Sequence, residues 1–400
     1  MATPKTPLSH AAPRPLVTVD DLAAMRNHAK SVVTHNRAVA SAPSAIKSAP
    51  TFSSVQVVGM CGITRGIFES RRRKGDLPDG QETENRRRTF TLEESLQWVR
   101  AYKKDGLRPA GADCAVITTG NFKGGVGKST TAATLAQGLS LRGHRVLVID
   151  TDPQGSITSL MGVPPETLQD AQTVLSISTG DQASLSSSIR KTYWSGIDLV
   201  GAAPRISAAQ FHLPARTMND GEQFWSVLSK GISPELRALY DVVVIDTPPA
   251  LDYLTINAFF AADILVVPLP PSAMDFVSST QFWDLFVELN ESFGEYGLKK
   301  DYSFVNVLLS RVDSNDVAAG LVREWISEAY GKYLLPVEIP SSAAAKTAAA
   351  EFGTIYDTTV AQQSARTHRR AYDAYERLVE IIEGQIKRVW DAQPKLDGGV

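Results

Sequence analysis

Residues 114–136 read CAVITTGNFKGGVGKSTTAATLA, and this stretch decides the fold. Ala115–Thr119 is an apolar, β-branched run that predicts a buried strand, and Ser129–Arg142 predicts a helix. Between them lies the turn Gly120-Asn121-Phe122-Lys123-Gly124-Gly125-Val126-Gly127. A strand feeding a glycine-rich turn into a helix lets backbone N–H groups converge on a phosphate, where the helix N-terminus adds partial positive charge. Lys128 would then reach the β- and γ-oxygens of a nucleotide, Ser129 would hold Mg²⁺ and Thr130 would contact the α-phosphate. The candidate nucleotide site is therefore Gly124, Gly125, Val126, Gly127, Lys128, Ser129 and Thr130, with a nucleotide and Mg²⁺ as cofactors.

Further along the chain, two strands end in carboxylates. Arg145–Ile149 runs into Asp150-Thr151-Asp152-Pro153-Gln154-Gly155-Ser156, and the apolar strand Val242–Ile245 delivers Asp246, followed by Thr247-Pro248-Pro249. A carboxylate at the carboxyl edge of a buried strand can accept from Mg²⁺-bound water. More apolar runs occur at Ile197–Val200, Ile264–Val267, Phe304–Leu309 and Leu335–Ile339. Helical stretches at Gly221–Lys230, Pro234–Leu239, Phe276–Phe293, Val317–Ala329 and Ala365–Ala392 alternate with them. The alternation predicts an α/β protein with a doubly wound, mostly parallel sheet and helices on both faces.

The chain has 400 residues, 43% hydrophobic and 21% charged, which suits a globular protein of two or three domains. No apolar run reaches the roughly 20 residues of a membrane span. The proline-broken start lacks the apolar core of a secretory signal and reads as a tail. Two distant cysteines, Cys61 and Cys114, form no disulfide framework or Cys-rich metal motif, so a reducing cytoplasm is the expected compartment. The net charge of −2 hides an asymmetry. Residues 1–115 hold 18 Lys and Arg against 11 Asp and Glu, whereas the remainder holds 23 against 32. A basic first quarter points to nucleic acid.

Three segments follow from these patterns. Residues 1–54 comprise a tail, a leading helix over Val17–Val39 with a short apolar stripe (Leu22, Ala23, Met25, Val32), and a linker. Residues 55–110 carry helix, turn and basic signals, and residues 111–400 carry the phosphate loop. In the middle segment Ile63–Lys74 would place Thr64, Arg65, Arg71, Arg72, Arg73 and Lys74 on one helix. Leu77–Gly80 is a turn, Arg86, Arg87 and Arg88 lie in a following hairpin, and Thr91–Glu94 opens a helix with a capping box.

The form KGGVGKST at 123–130 has Phe122 where a general Walker A motif has glycine. It resembles the deviant Walker A of the ParA/MinD family of P-loop ATPases, as do Asp150–Ser156 and Asp241–Pro249. Residues 55–110 resemble a MerR-like winged helix-turn-helix, and the combination resembles plasmid-type ParA/RepA partitioning proteins. The resemblance implies a weak ATPase that partitions plasmid or chromosomal DNA, with Lys123, Lys128 and Asp152 catalytic. Ser129, Asp152 and Asp246 would surround the metal, with Asp152 orienting the attacking water. It further implies an ATP-bound homodimer in which Lys123 reaches the partner's nucleotide. That dimer would bind DNA without sequence preference through Arg366, Arg369 and Arg370, joined by Lys346, Lys387 and Arg388. A ParB-type centromere-binding protein would stimulate hydrolysis, the ADP or apo form would repress its own operon, and the protein would be cytoplasmic and nucleoid-associated. Two alternatives share these motifs: a nucleotide-gated repressor with no transport role, and a MinD-like membrane-cycling ATPase. For the second, the stripe Leu378, Val379, Ile381, Ile382, Ile386 and Val389 on the last helix is better explained by packing on its own core, so no membrane partner is expected.

Overall fold

The computed structural model describes residues 18–40, 47–85, 87–295, 300–313, 315–342, 353–357 and 365–393. Arg86 and Lys346 therefore lie outside the described residues. The chain divides into two compact units, residues 1–47 and 48–400. The first holds helix α1 (Val19–Ala40), whose start is fixed by a reciprocal pair: Thr18 N donates to Asp21 Oδ2 and Asp21 N donates to Thr18 Oγ1. Leu22, Met25 and Val32 on α1 are exposed.

The second unit begins with a small sheet of β1 (Phe52–Ser53), β2 (Gln81–Glu82) and β3 (Arg88–Phe90), ordered β1-β3-β2 and antiparallel. Helices α2 (Ser54–Cys61), α3 (Arg65–Lys74) and α4 (Leu92–Tyr102) surround it. Their boundaries are written in the local chemistry. Ser53 and Gln56 form a capping box on α2, Gly62 ends it at φ +67°, Thr64 caps α3, and Thr91 with Glu94 caps α4. Helix α3 thus starts at Arg65, and Thr64 is its cap. Val57, Cys61, Phe68, Phe90, Trp98 and Val99 make a separate small core. Leu92 and Leu96 of α4 belong instead to the main core, and Arg100 Nε donates to Gly143 O (2.9 Å).

The main sheet has the order β11-β10-β9-β4-β8-β5-β7-β6. Its strands are β4 (Ala115–Thr119), β5 (Val146–Asp150), β6 (Arg190–Lys191), β7 (Ile197–Val200), β8 (Val242–Asp246), β9 (Ile264–Leu269), β10 (Phe304–Val312) and β11 (Leu334–Pro340). Every neighbouring pair is parallel except β6–β7. The expected doubly wound α/β architecture is present. Helices α5 (Lys128–Leu141) and α14 (Ala365–Ala392) cover one face. The other carries α7 (Leu175–Thr179), α8 (Ala209–Asp220), α9 (Val227–Gly231), α10 (Pro234–Leu239) and α11 (Tyr253–Ala261). A short α6 (Ser156–Leu160) follows β5, and α12 (Ala273–Glu295) and α13 (Val317–Tyr330) pack beside β9 and β10.

The helix predicted over Gly221–Lys230 is broken: Gly221, at φ +68°, ends α8, a 3₁₀ turn spans Phe224–Ser226, and α9 starts only at Val227. Helix α8 itself was hidden by Pro214 in its interior, a residue that usually breaks the pattern. On α14, Leu378, Val379, Ile382 and Ile386 are fully buried in the main core. No helix among the described residues is long and apolar enough to cross a membrane.

Candidate nucleotide site and basic surfaces

Parallel register places the chemistry. Thr119 lies opposite Asp246, and Asp246 opposite Asp150, so the carboxyl ends of β4, β8 and β5 stand level at the centre of the sheet. Ligands of doubly wound sheets bind at such strand ends. The glycine-rich loop closes over this edge. Gly125 and Gly127 sit at φ +76° and +96°, values that side-chain-bearing residues rarely adopt. Asn121 fixes the loop's entry, donating through Nδ2 to Pro268 O (2.9 Å) and accepting from Lys123 N (3.0 Å).

Asp246 is fully buried. Its Oδ1 accepts from the Thr119 hydroxyl (3.3 Å), while Oδ2 has no hydrogen-bond partner among the described residues. Burial pushes its pKa up to about 7. The nearby Ser129 hydroxyl opposes that rise, the Asp152 charge adds to it, and the Lys128 ammonium opposes it. An orphaned, buried carboxylate oxygen is costly unless a ligand completes it. A Mg²⁺-bound water is the group that the donor set Ser129 and Asp246 fits. Lys128 is itself buried, which lowers its pKa against the pull of Asp246 and Asp152. Its Nζ donates back to Lys123 O (2.9 Å).

Asp150 serves the loop rather than a ligand. Its Oδ2 accepts from the Thr158 hydroxyl (2.5 Å) and amide (3.1 Å), and Oδ1 accepts from Asp152 N (3.0 Å). Burial, then the neighbouring Asp246, raise its pKa well above the carboxylate range. Asp152 is buried at the same edge, with Oδ1 accepting from Gln154 N (2.9 Å). Thr247 closes the far side by donating to Thr119 O (2.9 Å).

Lys123, expected to cross to a partner, is held within its own chain: its Nζ lies 2.6 Å from Asp275 Oδ1 at the start of α12. Sequence reasoning missed Asp275. The only signal was an acid in the first turn of a helix, which is common. It also assigned Arg311 no contact with the phosphate loop; Arg311 adopts φ +54° and donates through Nη1 to Gly125 O, while the neighbouring Ser310 hydroxyl donates to Val126 O (2.8 Å). Together these two residues anchor the phosphate loop from β10.

The basic residues divide by environment. Arg65, Arg73, Lys74 and Arg87 are exposed and have no ion-pair partner among the described residues. Arg71 pairs with Asp76 (2.8 Å) and lies over the Tyr102 ring, and Arg72 and Arg88 are bound in ion pairs. At the start of α14, Arg366, Arg369 and Arg370 are exposed, with Arg369 3.8 Å from Asp373. Lys387 pairs with Glu383, and Arg388 covers the Phe304 ring.

A family model described as an AAA domain matches residues 114–296. A candidate replication protein A of Sinorhizobium fredii is 30% identical over 356 residues, 85% of this chain and 87% of that protein. The chromosome partitioning protein ParA of Myxococcus xanthus is 31% identical over 228 residues, 56% of this chain and 75% of that protein. The chain belongs to the ParA family of partitioning ATPases. A solved partition protein shares the fold of this ParA-type chain at a TM-score of 0.64 and 19% identity, covering 94% of this chain and 99% of its own. A cobyrinic acid a,c-diamide synthase from Mycobacterium smegmatis, solved with an ATP analogue and magnesium, matches at a TM-score of 0.53 and 24% identity, covering 70% and 98%.

Proposed function

We propose that this ParA-type chain binds ATP with Mg²⁺ at the glycine-rich loop and hydrolyses it slowly to time the partitioning of a plasmid or chromosome. The observation that carries the reading is the orphaned Asp246 Oδ2 at a strand end, near the buried Lys128 and the half-buried Ser129 beneath the loop. The ATP analogue and magnesium bound to the similar synthase support the same ligands. Ser129 and, through water, Asp246 would hold Mg²⁺, with Asp152 beside them; the ion supplies charge neutralisation at the phosphates.

To engage phosphate, Lys128 exchanges the Lys123 carbonyl for phosphate oxygens. Lys123 leaves Asp275 to reach the nucleotide of a second protomer, where a further cation offsets charge as an arginine finger does. Asp152 orients the attacking water. Among the described residues no glutamate stands in the site as a strong base, so turnover is slow until a ParB-type centromere-binding protein improves the geometry. The ATP-bound homodimer holds nucleoid DNA through Arg366, Arg369 and Arg370 in the cytoplasm. Residues 55–110 bind the operator in the ADP or apo form and repress transcription. The MinD-like alternative is disfavoured because the apolar face of α14 is consumed by its own core.

Sedimentation of the full chain with ATP–Mg, ADP–Mg and no nucleotide tests this reading. Dimer formation only with ATP–Mg, abolished by Lys128→Ala, is expected. An assembly state indifferent to nucleotide and to that substitution would overturn it.

A further inference from the structure

The turn Leu77–Gly80 is rigidly placed between α3 and the β2–β3 hairpin. Trp98 Nε1 donates to Pro78 O (2.9 Å) from below. Gly80 sits at φ +68°, where an added Cβ would lie 2.8 Å from the Phe90 ring and from Thr89 O. Between these two residues Asp79 presents both carboxylate oxygens to guanidinium groups: Oδ1 accepts from Arg72 Nη1 of α3 (2.6 Å) and Oδ2 from Arg88 Nη1 of β3 (2.7 Å). Further donors of both guanidinium groups are also spent inside the module. Arg72 Nε and Nη2 reach Glu69 Oε2 (3.1 and 2.8 Å). Arg88 Nη1 also reaches Asp79 O and Gly80 O (3.0 and 3.3 Å), and Arg88 Nη2 lies 3.5 Å from Glu82. Two cations therefore meet three carboxylates, and the cluster offers a phosphate no net positive charge.

The other face of α3 is different. Ile67, Ser70, Arg73 and Lys74 lie along it at helical spacing and are exposed, while the exposed Arg65 and Arg87 line the groove beside Glu69, Arg72 and Arg88. We propose that Asp79 is a positioning residue that clasps the hairpin to α3 and withdraws Arg72 and Arg88 from DNA. Arg65, Arg73, Lys74 and Arg87 are left as the contacting set. The inference rests on the reading of residues 55–110 as a DNA-binding module. Its consequence is selectivity: two strong phosphate binders are neutralised beside the reading face, which holds down sequence-independent affinity.

The salt dependence of binding tests it, because each phosphate contact adds about 0.9 to the slope of log K against log salt. Full-length protein with ADP–Mg is titrated onto a random-sequence duplex and onto duplexes tiling the DNA upstream of its own gene. The expected results are these. Arg73→Ala and Lys74→Ala each flatten the slope by about 0.9. Arg72→Ala/Arg88→Ala leaves it at the wild-type value. Asp79→Ala and Asp79→Asn, which free two guanidinium groups, steepen it by up to about 1.8 and tighten random-duplex binding, so the preference for the upstream DNA falls. Wild-type slopes in both Asp79 variants would overturn the proposal, as would flattening in the Arg72/Arg88 double variant. In either case loss of binding in Arg73→Ala would leave the module's DNA role standing. Undiminished binding when Arg65, Arg73, Lys74 and Arg87 are all replaced by Ala would instead remove the DNA role itself, and the clasp with it.

Discussion

Gly138 is the point where the nucleotide helix α5 meets α14, and its replacement by alanine has a calculable cost. A Cβ there would lie 2.5 and 3.0 Å from the two methyl carbons of Val379 and 2.8 Å from Tyr356 Oη. Neither neighbour can yield easily, since Val379 is fully buried and the Tyr356 hydroxyl is committed to Glu376 Oε1. Overpacking of this kind costs about 1–3 kcal/mol, and the gain in helix propensity returns only about 1 kcal/mol. The net expectation for Gly138→Ala is a loss of up to about 2 kcal/mol. Gly384, within α14, supplies the matched control because an added Cβ there meets nothing within 4 Å. Gly384→Ala should stabilise by up to about 1 kcal/mol. Urea denaturation of the two variants beside the wild type reads both effects as midpoint shifts of opposite sign. A Gly138→Ala midpoint raised above the wild type as in Gly384→Ala would refute the close packing of α5 on α14.

Three further outcomes are expected. Lys128→Ala should reduce affinity for a fluorescent ATP analogue at least about a hundredfold, the scale of one lost charge-assisted phosphate contact in a buried site, and a wild-type titration would count against the loop as the nucleotide site. Asp152→Ala should hold the ATP-bound dimer without turnover, and sedimentation as a monomer with ATP–Mg would contradict its role with the water. Glu383 makes a pH test. Burial raises its pKa, but the ring of His144 (3.1 Å), Lys387 and Arg142 outweighs this and holds it at about 2. A carboxylate depressed in the folded state stabilises above its unfolded pKa, and that contribution fades as pH falls toward the folded value. The wild type should therefore be about 3 kcal/mol more stable than Glu383→Gln near pH 6, with about 2 kcal/mol of the gap gone by about pH 3. A gap that does not change with pH in urea midpoints would show that the carboxylate charge is not what the site holds.

The candidate nucleotide site was legible because its parts are local. The spacing of Gly124, Gly125 and Gly127 before Lys128, and a carboxylate closing each of two apolar strands, sit within short windows, and parallel register aligns the strand ends. What escaped depends on distance along the chain or on backbone conformation. Asp275 reaches Lys123 across more than a hundred residues, and Arg311 anchors the loop from a left-handed conformation that no composition rule assigns to arginine. The described arginines of residues 65–88 look alike in sequence, and the placement of Asp76 and of the turn carrying Asp79 separates paired from open ones. Helix α8 was obscured by Pro214, and the two-residue edge strand β6 is too short to show a period. The stripe of α14 was plain because one long helix spends a whole face on the core.

The central claim is that ATP, read at Lys128 and Asp246, switches the chain onto DNA. Fluorescence anisotropy of a random-sequence duplex, titrated with the protein in the apo state, with ADP–Mg and with ATP–Mg, tests it most directly. Binding that is far tighter with ATP–Mg, weakens steeply with salt, and loses its nucleotide dependence in Lys128→Ala is the predicted result. Equal affinity in all three states would contradict the account.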